Sequence, residues 1–355
     1  MFLSRGIFFK AIMISILLYL LAESGTAYIP ILISIIVAFI LNPFVEWVTR
    51  YKLFLKYPDL GRSFAIILAF LVVIALIIGI AMALFSPLIK EFNELYINIP
   101  QILTGIHGIV VEFQNNVVLP IQKDELYQNQ SERFIDFLQQ AITSSITFFY
   151  HFIKKVANLS INIVSRIVEL VVVPVLTFYF LRDWRLIVDW FVNLFAIQSR
   201  EKVRSILMEM GQAIGDFLQG QFLLCIIIGG CMFIGLYSLN IKYPLVLAIL
   251  AAITEAIPII GPILASVPAI ILGLTISPIV GLKVALFCFI LQQLENHLIV
   301  PKVMGDRINL HPTIVIISLL LSGQFFGVLG MMVALPVTAL LKILMKYFWI
   351  TEEKI

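Results

Sequence analysis

The stretch YPLVLAILAAITEAIPIIGPILASVPAIILGLTISP, residues 243–278, is apolar almost throughout, yet it contains one carboxylate, Glu255, and several prolines. Proline removes a backbone donor and breaks the helical hydrogen-bond ladder. In hydrocarbon, each freed polar group costs several kcal/mol unless protein or water satisfies it. We therefore predict two apolar helical arms, Pro244–Ile257 and Ile263–Thr275, which meet at a break around Pro258–Pro262.

Each predicted arm is shorter than the roughly 20 residues that a full membrane span needs. A pair of short arms around a break indicates a helical hairpin, re-entrant or spanning, that is buried in protein or lines a cavity. Broken helices near the middle of the bilayer are where secondary transporters bind their substrates. We assign the other spans and the candidate site relative to this hairpin.

Composition sets the class of protein. The chain has 355 residues, of which 61% are hydrophobic and 13% are charged, and its mean hydropathy is +1.06. These values indicate an all-α polytopic membrane protein that is surrounded by membrane lipid. The net charge of +3 gives no reason to expect a nucleic-acid partner.

Motifs for catalysis, metal binding and cofactor binding are missing from the sequence. The three cysteines lie in apolar runs, and the four histidines are scattered without a zinc-binding spacing. There is no phosphate-binding GxxxxGK[ST] run and no pattern typical of an intramembrane protease. We expect no enzyme activity, no metal and no cofactor, although a proton or sodium can serve as a coupling ion.

Apolar runs and basic loops predict the topology. Besides the hairpin, spans are predicted at residues 6–22, 28–48, 63–89, 159–181, 220–239 and 278–299, and a second broken hairpin at residues 311–347. The first run resembles a signal peptide but is interpreted as an uncleaved span. Clusters of Lys and Arg mark cytoplasmic loops and place both termini in the cytoplasm.

The segment from Lys90 to Asn158 is more polar and divides the chain. We predict N-terminal spans at residues 1–90, an extracytoplasmic segment at 91–158 and a transport core at 159–355. Pro100 and Pro120 are predicted breaks, and Ser131–Val156 has the apolar spacing of an amphipathic helix. This helix can lie in the interface, pack against a neighbouring subunit or simply cover the ends of spans. A further amphipathic helix, cytoplasmic or at the membrane interface, is predicted at Asp183–Gln219.

Glu255 is the strongest candidate for a functional residue. A carboxylate at membrane depth is costly and is usually functional, because it can exchange a proton for a cation or a substrate. The alternative is that Glu255 lies near water and caps the broken helix. Thr254, Pro258 and Gly261 flank it in the break and are included in the predicted binding site.

A polar cluster ends the span that follows the hairpin. Gln292, Glu295 and Asn296 fall on one face of a helix by their spacing. We place these residues opposite Glu255 in the same predicted site. The alternative is that the cluster is only the polar end of a span that precedes a basic loop.

Several motifs together resemble one family. FYFLRDW at Phe178–Trp184, EAIPIIGPILASVPA at Glu255–Ala269, the run from Gln292 through PKVMG to LHP at Leu310–Pro312, and GVLGMMVALP at Gly327–Pro336 are similar to the autoinducer-2 exporter (AI-2E) family of bacterial transporters. The resemblance covers nearly the whole chain.

The resemblance implies a protein of the bacterial plasma (inner) membrane with about eight spans, assembled as a homo-oligomer, most simply a pentamer. It implies export of the furanone-derived autoinducer-2 signal in some members and exchange of sodium or lithium for protons in others.

Three functions are therefore expected, in order. The first is a secondary transporter, an exporter of a small polar molecule such as autoinducer-2, coupled to an ion. The second is a sodium(lithium)/proton antiporter on the same scaffold. The third is a membrane scaffold without transport, in which the segment Lys90–Asn158 binds a partner.

Overall fold

The computed structural model describes residues 28–50, 58–113, 140, 144, 147, 167–304 and 310–347. Across these residues the chain forms helices and turns and no strand, as the composition predicts. The predicted first span at 6–22 and most of the predicted amphipathic helix Ser131–Val156 lie outside the described residues.

Eight helices are named here in chain order: α1 (Tyr28–Thr49), α2 (Pro58–Phe113), α3 (Ile167–Asn193), α4 (Ile197–Ser238), α5 (Pro244–Thr254), α6 (Ile260–Ile276), α7 (Pro278–Leu294) and α8 (Pro312–Met345). A π-helical turn, Glu295–Ile299, and a short helix, Val300–Met304, continue α7. Among the described residues, five helical segments are long and apolar enough to cross a membrane. A polytopic helical protein is therefore confirmed, whereas the larger number of spans is not.

Helix α2 is longer than the sequence predicts. The predicted span ends at Ile89 and Pro100 is a predicted break, but α2 runs for 56 residues through Pro87 and Pro100. The prediction of a break at Pro100 is therefore wrong. Leu95 and Ile99, beside this proline, are buried in the core. Tertiary packing of an apolar face holds a helix together more strongly than a single lost hydrogen bond disrupts it.

The predicted surface helix Asp183–Gln219 is divided between two elements. Its first part belongs to α3, which ends at Asn193, and its second part begins α4 at Ile197. Arg200 on α4 donates hydrogen bonds to the carbonyls of Asn193 and Phe195 at 3.2 Å each. These bonds satisfy carbonyls at the end of α3, where the helix itself supplies no partner.

The described residues separate into two compact units. The first contains those within Met1–Ile74 and Asn162–Ser205, and the second those within Ala75–Ile161 and Ile206–Ile355. In the first unit, α1 and α3 pack through an apolar core that includes Val45, Ile66 and Leu181. Two hydroxyls join these helices, because Ser34 donates to the carbonyl of Val173 and Thr177 donates to the carbonyl of Ser34, both at 3.3 Å.

The second unit contains both broken hairpins. Its core joins α5, α6 and α7 to parts of α2 and α4, through buried residues that include Leu95, Leu236, Leu247, Leu250, Ala269 and Val284.

The first hairpin has its two predicted arms, as α5 and α6, and both are shorter than a full span. The break lies at Glu255–Ile259, about three residues earlier than predicted. Pro258 explains the shift, because it has no N–H to donate to the carbonyl of Thr254 four residues before it. That carbonyl accepts from Ile257 N at 2.9 Å instead, and the helix ends. Pro262 lies in the first turn of α6, where a missing N–H costs little.

The second hairpin breaks at Gly327, next to the predicted break at Gly323–Phe326. Gly327 has φ 62° and ψ −146°, a conformation open to glycine almost alone. A side chain at Gly330 would overlap the carbonyl oxygen of Ser322, so the chain folds back on itself here. Leu319 and Ala334, one from each arm, form a buried cluster with Ile257 from the first break.

We predict that Gly229→Ala destabilises the protein and that Gly230→Ala, one residue further along α4, does not. A Cβ at Gly229 would lie 2.8 Å from Cβ of Ala252 on α5, whereas a Cβ at Gly230 meets nothing within 4 Å. Overpacking of this kind costs about 1–3 kcal/mol, while an unhindered Gly→Ala change in a helix gains up to about 1 kcal/mol. Thermal unfolding of the two purified variants in one detergent measures the difference. Equal melting temperatures would contradict the packing of α4 on α5.

Candidate functional site

Glu255 lies at the end of α5, directly after Thr254, and its side chain is only 2% exposed. Its backbone N–H donates to the carbonyl of Ala251 at 2.8 Å, which completes the last helical turn. Its own carbonyl accepts a hydrogen bond from the side-chain amide of Gln221 on α4. The carboxyl group is therefore presented from a fixed backbone at the point where the helix stops.

The break satisfies its own backbone groups. Ile260 N donates to the carbonyl of Pro258, and Gly261 N donates to the carbonyl of Ile257, both at 2.8 Å. Ile259 has φ 69°, which is rare for a β-branched residue and carries a strain of about 1–3 kcal/mol. Strain of this size persists only where the surrounding structure imposes it, and it concentrates at functional sites.

Gly261 allows α6 to approach Glu255 closely. A Cβ at Gly261 would overlap the carbonyl oxygen of Thr254 and lie 2.9 Å from Cα of Glu255. Any other residue would separate the two arms at the carboxylate. Gly261 therefore shapes the site through its backbone and contributes no ligand atom from a side chain.

Glu295 meets Glu255 from the other side of the site. It begins the π-helical turn after α7, is 7% exposed, and its carboxyl group lies within hydrogen-bonding range of the carboxyl group of Glu255. Two carboxyl groups can form a hydrogen bond only when one of them carries a proton. Buried carboxyl groups this close share a proton because two adjacent charges repel strongly.

One oxygen of this pair has no donor. Glu255 Oε2 is fully buried and receives no hydrogen bond from the residues that the structure describes. No Lys or Arg in this part of the chain forms an ion pair with either carboxyl group. Because a buried charge needs a compensating partner, the pair is suited to hold a proton or a small cation.

A small cavity adjoins the pair, with a volume of about 20 Å³, which is room for one water-sized particle. Ser266, Gln292 and Glu295 supply its polar lining. Its apolar lining consists of Ile228, Met232, Ala251, Pro262, Ala265, Cys288 and Leu291. Oxygen atoms in an otherwise apolar cavity are the ligands that hard monovalent and divalent cations prefer.

The structure brings some of the predicted site residues together and leaves others apart. Glu295 and Gln292 line the cavity, and Glu255 contacts Glu295. Asn296, which the helical spacing placed on the same face, is exposed and does not join them. Thr254 is buried, but its hydroxyl donates to the carbonyl of Leu250 at 2.9 Å. Pro258 is half-buried and belongs to the break itself.

The exposure of Asn296 follows from its place next to Glu295. Consecutive residues of a helix point about 100° apart, so Asn296 turns away from the side on which Glu295 is buried. A π-helical turn begins at Glu295 itself. Such turns occur frequently at functional sites.

Two polar contacts were missed by the sequence reasoning. Gln221, 7% exposed, holds the Glu255 carbonyl, and Glu91 on α2 accepts hydrogen bonds from the first residues of α5. The position of Gln221 directly before the apolar run FLLCIII was a visible signal for it. No signal identified Glu91, because it lies in a segment that was predicted to leave the membrane.

Long apolar helices, a broken hairpin and a buried carboxyl pair at its break define a polytopic membrane protein of the kind typical of secondary transporters. The chain belongs to the AI-2E transporter family, whose model matches residues 8–349.

Individual relatives agree with this assignment. The chain is 28% identical to "Putative transport protein YrrI" of Bacillus subtilis (strain 168), over 91% of this chain and 87% of that protein. It is 30% identical to "Putative transport protein YueF" of the same organism, over 90% of this chain and 83% of that protein. A protein of Halobacillus andaensis named as a sodium-lithium/proton antiporter is 24% identical over 85% of this chain and 84% of its own length.

We predict that Gln221→Leu destabilises the protein, because it leaves the carbonyl of Glu255 buried without a donor. The cost of an unsatisfied buried acceptor is about 1–3 kcal/mol. The matched control is Phe222→Leu, a change at an exposed position one residue further along α4. Melting temperatures in detergent check the prediction, and a Gln221→Leu protein as stable as the wild type would disprove the role of this hydrogen bond.

Proposed function

We propose that this protein is an ion-coupled secondary transporter in which Glu255 and Glu295 form the coupling site. The observation that supports the proposal best is the contact between two buried carboxyl groups at the break of a helical hairpin. A pair that holds one proton can release it and accept a cation in its place, because either positive charge compensates the same carboxylates. Proton and cation then compete for one site, which is the basis of exchange.

The geometry favours a small cation as the exchanged species. The cavity beside the pair has room for one water-sized particle, and its polar lining supplies oxygen atoms from Ser266, Gln292 and Glu295, which suit a small cation. The relative from Halobacillus andaensis that is named as a sodium-lithium/proton antiporter also favours a small cation as the exchanged species. We therefore propose sodium(lithium)/proton antiport as the activity that the site supports best.

Export of a small polar signal such as autoinducer-2 is the second candidate. The description of the family as AI-2E transporters favours it. In this case the carboxyl pair supplies proton coupling, and the signal binds where the hairpins separate to open a larger pocket. A scaffold without transport, with the segment Lys90–Asn158 as its partner-binding surface, is the remaining candidate.

The proposal also includes the membrane, the orientation and the oligomeric state of the protein. We place the protein in the bacterial inner membrane with both termini in the cytoplasm, because Lys and Arg cluster in the corresponding loops. We further propose a homo-oligomer, with a pentamer as the expected form. Native mass spectrometry of the protein in detergent tests the number of subunits.

We predict that Glu255→Gln abolishes coupled flux in proteoliposomes without unfolding the protein. A Gln side chain can donate an N–H to Glu295 and so imitates the protonated pair, but it has no proton to exchange. Dissipation of a pH gradient on addition of sodium or lithium should fall to the rate of protein-free liposomes.

Glu201→Gln is the matched control, since Glu201 is an exposed carboxylate on α4, and it should transport like the wild type. Wild-type flux in the Glu255→Gln protein would remove the carboxyl pair from the mechanism.

The same vesicles separate the candidate functions. We expect wild-type vesicles to move protons on addition of sodium or lithium, and Glu295→Gln to prevent it. A response to the signalling furanone alone would select proton-coupled export over antiport. Vesicles that respond to neither cation nor furanone would contradict both transport candidates, provided that the reconstituted protein is folded.

A further inference from the structure

We infer that Glu91, far from the carboxyl pair in sequence, is a positioning residue that sets the geometry of Glu255 and Glu295 through α5. The inference rests on the proposed function, because it concerns the same pair. It follows from three contacts that fix α5 at its two ends.

The N-terminal end of α5 is held by a carboxylate from another helix. Glu91 Oε2 accepts from the backbone N–H groups of Leu245 and Val246 at 2.9 and 3.1 Å. Tyr243, the residue that precedes the helix, has φ 63° and gives no side-chain cap. Glu91 therefore supplies what a Ser or Asp at the cap position normally supplies locally.

A second contact reinforces the first. The amide of Asn98 donates to the phenol oxygen of Tyr243 at 2.9 Å. Asn98 and Glu91 lie on the same face of α2 as Leu95, which is fully buried in the core with α5. This face of α2 therefore holds the start of α5 by two polar contacts around an apolar one.

The far end of α5 carries the functional group. Glu255 follows Leu245 by ten residues, so it lies only about 15 Å along the helix from the Glu91 contact. There the amide of Gln221 holds the Glu255 carbonyl. A short helix held at both ends moves as a rigid body, so a displacement at its start changes the distance between the Glu255 and Glu295 carboxyl groups. Glu91 touches neither carboxyl group and acts only through α5.

The test measures the protonation of the pair independently of transport. The full-length protein in detergent is treated with dicyclohexylcarbodiimide, which reacts with protonated carboxyl groups in apolar surroundings, over a range of pH. Labelling of Glu255 and Glu295 is quantified by peptide mass mapping. Amide hydrogen exchange of the peptide that contains Leu245 and Val246 is measured on the same samples.

We expect Glu91→Ala to accelerate amide exchange at Leu245 and Val246 and to shift the pH profile of labelling at Glu255. Glu91→Gln, which keeps an acceptor oxygen, should restore both toward the wild type. Asn93→Ala is the matched control, because Asn93 is exposed on the same helix and lies two residues from Glu91, on a different face, and it should change neither.

An unchanged labelling profile in Glu91→Ala overturns the inference, whether or not the protein is less stable, since Glu91 is then a structural cap only. If Glu91→Ala does not fold, Glu91→Asp decides, because its shorter side chain displaces the start of α5, and a wild-type labelling profile in Glu91→Asp would overturn the inference. Flux assays on the same variants keep the two proposals apart. If Glu91→Ala shifts the labelling profile while the wild-type protein transports no cation, the positioning role is supported and the proposed antiport is contradicted.

Discussion

A helix that stops within a membrane must satisfy its last carbonyl groups with protein, because lipid offers them no donor. The first hairpin meets this constraint with turns inside the break and with one side chain, Gln221, that reaches the carbonyl of Glu255. Pro258 removes the donor that would continue the hydrogen-bond ladder of α5, and Gly261 allows the second arm to begin close to the first. The buried position of Glu255 depends on this arrangement.

The carboxyl pair is therefore a product of backbone geometry. Glu255 is fixed by the end of α5, and Glu295 is fixed by the π-helical turn after α7. Neither side chain forms an ion pair with a Lys or Arg within the described part of the chain, and the two carboxyl groups lie within hydrogen-bonding range of each other. A polar site assembled in this way responds to small movements of the two helices, because hydrogen bonds between carboxyl groups depend steeply on distance.

Local chemistry made much of the fold predictable from sequence. Proline and glycine positions identified both hairpins, and the apolar runs identified most of the helices. The continuation of α2 through Pro100 could not be predicted, because it depends on burial of Leu95 and Ile99 against residues distant in sequence. At the site, Glu255 stood out as a single carboxylate in an apolar run. Asn296 is exposed although its spacing placed it on the face of Gln292 and Glu295, and Glu91 was missed because its contact spans 154 residues.

The π-helical turn at Glu295–Ile299 determines which way the side chains of the following helical segment point. Each residue in an α-helix advances the side chain by about 100°, so one extra residue rotates everything beyond it by that amount. The polar residues before and after the turn consequently belong to two different faces, although the sequence reads as one uninterrupted helix. A deletion of one residue within this turn would leave the composition and hydropathy of the helix almost unchanged, yet it would rotate the segment that follows by about 100° and turn a different face inward.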